Sequence, residues 1–101
     1  MLGSAKMKVP NGKMVEARLE YGSTIKSVQL LGDFFVYPDS GLNGIEETLE
    51  GLGTDTEEGE IAKRVSEFTR RNNVTLVGVT PEAIASVVKR AMSDGMESNK
   101  A

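Results

Sequence analysis

A carboxylate and two aromatic side chains stand side by side in Gly32-Asp33-Phe34-Phe35, at the end of an alternating stretch that begins near Ile25. Because successive side chains of a strand point to opposite faces, Phe34 and Phe35 cannot both enter one core. One ring must therefore meet a helix, a loop or another protein. Aromatic rings beside well-placed polar groups are typical of protein–protein contacts, so Asp33 either makes a charged contact across a subunit boundary or caps the turn or helix that follows.

A second segment that could do chemistry is Pro10-Asn11-Gly12, which lies between Lys8 and Lys13. An Asn-Gly pair favours a tight hairpin turn, because both central positions of that turn take positive φ. The lysines give the turn a positive charge that suits an anion such as a phosphate. The alternative is a hairpin tip with no further role. The glycine spacing of a phosphate-binding P-loop, and the Ser or Thr that follows it, are absent from this segment.

The residue types that usually carry catalysis are scarce. The chain has no Cys, which excludes a disulfide, a thiolate metal site and a cysteine nucleophile, and no His, which is the usual general base and the commonest metal ligand. Ser and Thr therefore lack a His partner. The acid pairs Glu46-Glu47 and Glu57-Glu58 are predicted on the outer faces of helices, where carboxylates are normally solvated. We expect no catalytic residue and no metal site in this chain.

The net charge of −3 hides an uneven distribution. Residues 1–32 contain five basic and two acidic residues, residues 33–60 nine acidic and no basic ones, and residues 61–101 seven basic and four acidic ones. The middle part, the acidic block, is either a solvated helical face or a surface that orients a basic partner. Nucleic acid is not expected as a ligand, since no basic stripe is interleaved with aromatic residues. No apolar run is long enough to span a membrane, and we expect a soluble, cytoplasmic protein.

The first third of the chain alternates between apolar and polar residues with period two. The runs Ala5–Val9 and Val15–Tyr21 have this pattern, and the Asn-Gly turn joins them into a hairpin. After Gly22-Ser23-Thr24, a third run extends to the two phenylalanines. Its predicted covered face carries Val28, Leu30 and Phe34. The pattern predicts a three-stranded antiparallel meander with one covered face.

Beyond Pro38 the apolar period becomes helical. Three helices are predicted. The first has Asp39 or Ser40 as its N-cap and is stopped by Gly51 and Gly53. The second is opened by a capping box at Thr54-Asp55-Thr56-Glu57, and the third starts at Thr80-Pro81-Glu82 with Thr80 as its cap. Residues 74–79 are a short extended segment or a buried connection. The fold class is therefore α+β in the order β-β-β-α-α-α, with about three helices packed on one face of the sheet.

These elements form one domain, as is normal for a chain of 101 residues. We place the domain at residues 5–93. Residues 1–4 are expected to be disordered or an expression remnant, and residues 94–101 to be a frayed tail.

Four motifs, in this order and over roughly residues 5–92, resemble the carboxy-terminal accessory domain of lipoate–protein ligase. They are the segment from Lys8 to Val15, the segment from Gly32 to Phe35, the helix end Leu49-Glu50-Gly51, and the helix start from Gly78 to Glu82. The family often has Gly where this chain has Asn11, and both residues tolerate a left-handed turn. A chain that carries only this domain resembles the small subunit of the bipartite, archaeal-type ligase.

The resemblance implies a heterodimer in which this chain is a non-catalytic accessory subunit. Together with a large catalytic subunit it would be required for the ATP-dependent activation of lipoate to lipoyl-AMP, and so for protein lipoylation. The complex would use ATP, Mg²⁺ and lipoate, while this chain alone would bind no cofactor. The lipoyl group would go to carrier domains of 2-oxoacid dehydrogenases or to the H protein of glycine cleavage.

The residues that we expect at the partner interface, or in support of the adenylation site, are Lys8, Asn11, Gly12, Lys13, Gly32, Asp33, Phe34 and Phe35. The alternative function is a binding module like the iron–sulfur scaffolds, which have a related fold, or an adaptor without an enzymatic partner. Those scaffolds depend on cysteines, which this chain lacks.

Overall fold

The computed structural model describes residues 1–9 and 13–98. In this part of the chain a three-stranded antiparallel meander is followed by a short strand, two helices, a second short strand and a last helix. The elements in chain order are β1 (Leu2–Lys8), β2 (Met14–Tyr21), β3 (Ile25–Gly32), β4 (Phe35–Tyr37), α1 (Ser40–Leu49), α2 (Glu58–Arg71), β5 (Thr75–Val77) and α3 (Pro81–Ser98). The predicted α+β class, with its three-stranded sheet and three helices, is confirmed.

The sheet has one covered face, as its period-two sequence predicts. Along β2, Val15, Ala17, Leu19 and Tyr21 are buried, and the side chains between them are half-buried or exposed. The helix α3 packs across β1 and β2, α1 packs along β3, and α2 packs against the other two helices. Burial of one large apolar side chain contributes about 1.5–3 kcal/mol, and a slip of one residue would expose the whole buried set of β2. The alternation therefore fixes the register of the meander.

The strand β3 lies at the edge of this sheet, and the chain that follows covers its open side. The Leu30 N–H donates to the Glu46 carboxylate on α1 at 2.8 Å. Near the start of the strand, the Ile25 N–H donates to the Leu52 carbonyl at 2.8 Å, and the Gly51 N–H donates to the Ile25 carbonyl at 2.8 Å. Backbone groups occupied in this way protect an edge strand against pairing with another chain.

The strand β3 ends earlier than its alternating pattern predicts, so the prediction of one strand that continues to Phe35 is wrong. Gly32 has a φ of 150°, a conformation that glycine adopts readily and other residues rarely do. A Cβ on Gly32 would also overlap the carbonyl oxygen of Met14 on β2. The chain turns here, and β4 pairs with β5 in a separate two-stranded sheet. Of the two alternatives for residues 74–79, the short extended segment is confirmed.

The helix starts follow the sequence signals only in part. Thr80 caps α3 as predicted, because its hydroxyl accepts a hydrogen bond from the Ala83 N–H at 3.0 Å. The predicted capping box of Thr54 and Glu57 is wrong, because α2 begins at Glu58 without a side-chain cap. The Thr54 hydroxyl instead donates to two carbonyls of the turn between β2 and β3. It ties the loop before α2 to the sheet.

Regular structure extends past both ends of the predicted domain. The strand β1 pairs with β2 from Leu2 onward, so it begins before Ala5, where the alternation becomes recognisable. The helix α3 continues to Ser98, into the predicted tail. Residues 99–101 lie outside the described residues, and for them the frayed tail stays a prediction.

Candidate functional site

The meander brings both candidate segments to one end of the sheet. Met14, the first residue of β2, lies opposite Lys8 on β1. Just beyond β3, the Asp33 N–H donates to the Met14 carbonyl at 3.0 Å, and the Val9 N–H donates to the Lys13 carbonyl at 2.6 Å across the base of the hairpin. We call this end of the sheet, formed by Lys8, Lys13, Met14, Gly32 and Asp33, the sheet tip.

The loop between β5 and α3 also reaches the sheet tip. Gly78 in this loop lies so close that a Cβ there would be 3.3 Å from the Asp33 carbonyl oxygen and 3.4 Å from Lys13 Cγ. Sequence reasoning placed Gly78 only at a helix start, because nothing local shows that the loop folds back on the sheet. Three of the four motifs that carry the family resemblance therefore meet at the sheet tip.

The charged side chains of the sheet tip are exposed. Within residues 1–9 and 13–98, Lys8, Lys13 and Asp33 form no ion pair and no side-chain hydrogen bond. The Asp33 side chain thus makes no hydrogen bond with a described residue that would cap a turn or a helix. Its exposed carboxylate is accessible to another molecule. Asn11 and Gly12 lie outside the described residues, so their place in the site stays a prediction.

Phe34 and Phe35 lie in different environments, as their adjacency in the sequence predicts. Phe34 is half-buried and packs against the core, whereas Phe35 is 60% exposed. Tyr37, on the same face of β4, is 54% exposed, and its ring centroid lies 6.3 Å from that of Phe35 with 21° between the ring planes. Val77 on β5 lies opposite Phe35 and is 46% exposed. We call Phe35, Tyr37 and Val77 the aromatic patch.

Sequence reasoning missed two members of the aromatic patch. Phe35 and Tyr37 are two residues apart, which would have placed them on one face of a strand, but the strand was predicted to end at Phe35. Val77 carries no such signal, since its pairing with Phe35 joins segments that α1 and α2 separate in the chain.

A groove of about 310 Å³ runs beside the aromatic patch, between β4 and the start of α1. Its lining consists of Phe34, Phe35, Val36, Tyr37, Asp39 and Leu42. The lining is thus aromatic and aliphatic apart from one carboxylate, and it contains no basic side chain.

Few carboxylates of the acidic block are paired with a hydrogen-bond donor or a basic side chain of the described residues. The Glu46 carboxylate accepts the Leu30 N–H, and Glu60 pairs with Arg64 on α2 at 3.0 Å. The other carboxylates of the block are exposed and form no ion pair with any described residue. They are Asp33, Asp39, Glu47, Glu50, Asp55, Glu57 and Glu58. A surface of this kind attracts positively charged partners, most strongly at low ionic strength.

These features are suited to binding. Among the described residues, no group of His, Cys, Asp and Glu side chains is placed to hold a metal ion. No helix in the same part of the chain is long and apolar enough to cross a membrane. Exposed aromatic rings beside accessible charges have the composition of a protein–protein contact. Fold and site together define a small α+β domain with a surface suited to another protein.

The fold is similar to that of a solved chain from Thermoplasma acidophilum. That chain belongs to an archaeal lipoylation system, which comprises a bipartite lipoate protein ligase and its E2 lipoyl domain. The two structures superpose with a TM-score of 0.69 at 26% sequence identity, and the match covers 86% of this chain and 93% of the other. The resemblance predicted from the sequence is thereby confirmed. No family model and no curated protein matches this chain.

Proposed function

We propose that this chain is the non-catalytic accessory subunit of a bipartite lipoate–protein ligase, and that it acts with a large catalytic subunit in the ATP-dependent activation of lipoate to lipoyl-AMP. The observation that carries the proposal is the structural similarity to a chain of the Thermoplasma lipoylation system over most of both chains. The sheet tip supports it, because motifs that resemble the family's accessory domain come together there.

In this proposal the catalytic subunit supplies the reacting groups. The lipoate carboxylate attacks the α-phosphorus of ATP, and pyrophosphate leaves. The complex uses ATP, Mg²⁺ and lipoate, and this chain alone binds none of them. The accessory chain acts by binding the activation-competent conformation of the catalytic subunit more tightly than its other conformations. The shift it can produce is limited to that difference in binding free energy.

The parts of the site have separate roles in this docking. The aromatic patch is the anchor, since aromatic side chains that lose water on association dominate the energetics of many interfaces. Asp33 fixes the register of the contact through its charge. Lys8 or Lys13 lies nearest the anionic ligand. Phe34 supports the turn after Gly32 from the core side.

The test is a reconstitution of the activation step. The catalytic subunit is assayed for pyrophosphate release and lipoyl-AMP formation with and without this chain, and we expect activation to depend on the chain. The matched control supplies synthetic lipoyl-AMP, from which transfer to a carrier domain should proceed equally well in both samples. Activation at an unchanged rate without the chain would overturn the proposal.

The same reaction separates an accessory subunit from an acceptor, a distinction that matters because the Thermoplasma system also includes an E2 lipoyl domain. After the reaction, mass spectrometry should find the lipoyl group on the carrier domain and on no lysine of this chain. A lipoylated lysine in this chain would make it a carrier and contradict the proposed role.

A further inference from the structure

The groove beside β4 has an apolar base and an aromatic wall. Val36 is buried, and Phe34 and Leu42 are half-buried, so these three side chains form the base. Phe35 and Tyr37 rise from the same strand with their rings side by side in nearly parallel planes. A positive charge over the face of such rings is attracted by the negative face of the π system, and more strongly once water is excluded.

A carboxylate completes the lining. Asp39 precedes the first residue of α1, where an Asp often caps the helix, but its side chain makes no capping hydrogen bond. It is exposed and forms no ion pair with any described residue. No basic side chain of the described residues lines the groove beside it. The groove therefore offers π faces and negative charge to whatever occupies it.

Beside the groove, β4 also presents one of its two strand edges. Among the described residues, β4 pairs only with β5, so its other edge, which borders the groove, carries no strand. This differs from the edge of β3, where α1 and the following loop occupy the backbone groups. An extended segment of another protein can run along an open edge of this kind and place alternate side chains toward the groove.

We infer that this groove binds an arginine side chain on an extended segment of the catalytic subunit. A guanidinium group fits better than an ammonium group, because it is planar, stacks on aromatic rings and presents a fork of N–H donors to a carboxylate such as Asp39. The aliphatic stem of arginine suits the apolar base. The inference rests on the proposed function for the identity of the partner, whereas the chemistry of the groove rests on this chain's own residues.

The chemistry can be tested on the chain alone by NMR titration with two blocked pentapeptides. Both have valine and threonine around a central residue, which is arginine in one and citrulline, its neutral isostere, in the other. We expect the arginine peptide to shift the resonances of Phe35, Tyr37 and Leu42 and to bind about tenfold more tightly than the citrulline peptide. Equal binding of both peptides, or shifts confined to other residues, would overturn the inference.

The complex is tested with variants of the groove. Tyr37→Leu removes a π face and keeps an apolar side chain, and Asp39→Asn removes one charge. We expect the affinity for the catalytic subunit to fall about tenfold and about threefold, respectively, with a weaker salt dependence for Asp39→Asn. The matched control is Asp55→Asn, an exposed position of the acidic block outside the groove lining, which should bind like the natural chain. Circular dichroism checks that all variants are folded.

The inference and the proposed function fail in different ways. If the chain supports lipoyl-AMP formation while both groove variants bind like Asp55→Asn, the arginine site is wrong and the function stands. If the arginine peptide binds the groove but activation does not depend on the chain, the site is supported and the function is wrong. Self-association that Tyr37→Leu abolishes would assign the groove to a second copy of the chain and overturn the inference.

Discussion

The strands β3 and β4 follow each other in the chain, yet they differ in what they expose to solvent. The outer edge of β3 is covered, whereas the β4–β5 sheet has large exposed side chains. At β3 the backbone groups of the edge are occupied by Glu46 and by the loop at residues 51–52. The β4–β5 sheet instead exposes Phe35, Tyr37 and Val77 on its outer face. Only a few residues separate the two arrangements, and the turn at Gly32 divides them.

The two regions differ in what they leave exposed. At β3, the Glu46 carboxylate and the loop at residues 51–52 cover the strand edge. A contiguous patch of exposed large side chains is instead typical of a surface that another molecule covers. Four predictions test this comparison. They concern the turn at Gly32, the aromatic patch, the covered edge of β3 and the acidic block.

The largest effect on stability is expected at the turn that Gly32 forms. Gly32→Ala forces a Cβ into the Met14 carbonyl oxygen at an unfavourable φ, and it should lower the free energy of unfolding by about 3 kcal/mol or more. Gly51→Ala is the matched control, because Gly51 has a φ of 89° but open space around its missing Cβ, and it should cost about 1 kcal/mol. Urea denaturation measures both. Equal losses would mean that the contact with Met14 does not define the turn.

At the patch, Phe35→Ala should weaken binding to the catalytic subunit by about 2 kcal/mol while the free energy of unfolding stays nearly unchanged, because the ring is exposed in the free chain. Phe34→Ala should do the reverse, since its ring packs on the core. Calorimetric titration and urea denaturation of both variants give the two quantities. The aromatic anchor is ruled out if the two variants have equal affinity for the partner.

At the covered edge, Glu46→Ala removes the acceptor of the Leu30 N–H. We expect a loss of about 1 kcal/mol in stability and faster hydrogen exchange of the Leu30 amide. Glu47 is next in sequence, and its exposed side chain forms no hydrogen bond with a described residue. Glu47→Ala should therefore change the stability by less than about 0.5 kcal/mol and leave the exchange of the Leu30 amide unchanged. Unchanged exchange at Leu30 in Glu46→Ala would show that the carboxylate does not protect the edge.

The smallest effect is expected for the paired substitution Glu57→Gln and Glu58→Gln. Both side chains are exposed at the start of α2 and lie outside the groove lining. Removal of their charges should change the affinity for the catalytic subunit by less than about 0.5 kcal/mol at physiological salt. A large loss of affinity at low salt would extend the interface from the groove to the whole acidic block.

The fold could be predicted where local pattern decides it. The alternation of β1 and β2, the helical period after Pro38 and the Thr80 cap each depend on neighbours in sequence, and the structure has them. The turn at Gly32 could not be predicted, because it depends on the Met14 carbonyl of another strand. The role of Thr54 could not be predicted for a similar reason. Its hydroxyl donates to carbonyls of the turn between β2 and β3, which is distant in sequence, and does not cap α2.

The same limit applies to the candidate site. Phe35 could be singled out because two adjacent rings must part in a strand, and it is the more exposed of the two. Val77 and Gly78 could not, because a pairing across two helices and a loop folded back on the sheet bring them to Phe35 and Asp33. Motif resemblance grouped the right segments without showing how they touch.

The chain contains two tyrosines and no tryptophan, and the two tyrosines differ in environment. Tyr21 is buried in the sheet, and its hydroxyl donates to the Met92 carbonyl on α3 at 2.5 Å. We therefore expect the fluorescence of Tyr21 to change when α3 separates from the sheet. Tyr37 stands in the aromatic patch and responds to whatever covers it. Tyr37→Phe leaves Tyr21 as the single tyrosine, whose fluorescence then reports unfolding of the core. Tyr21→Phe leaves Tyr37, whose fluorescence reports binding at the aromatic patch. The two events can thus be followed separately without an added label.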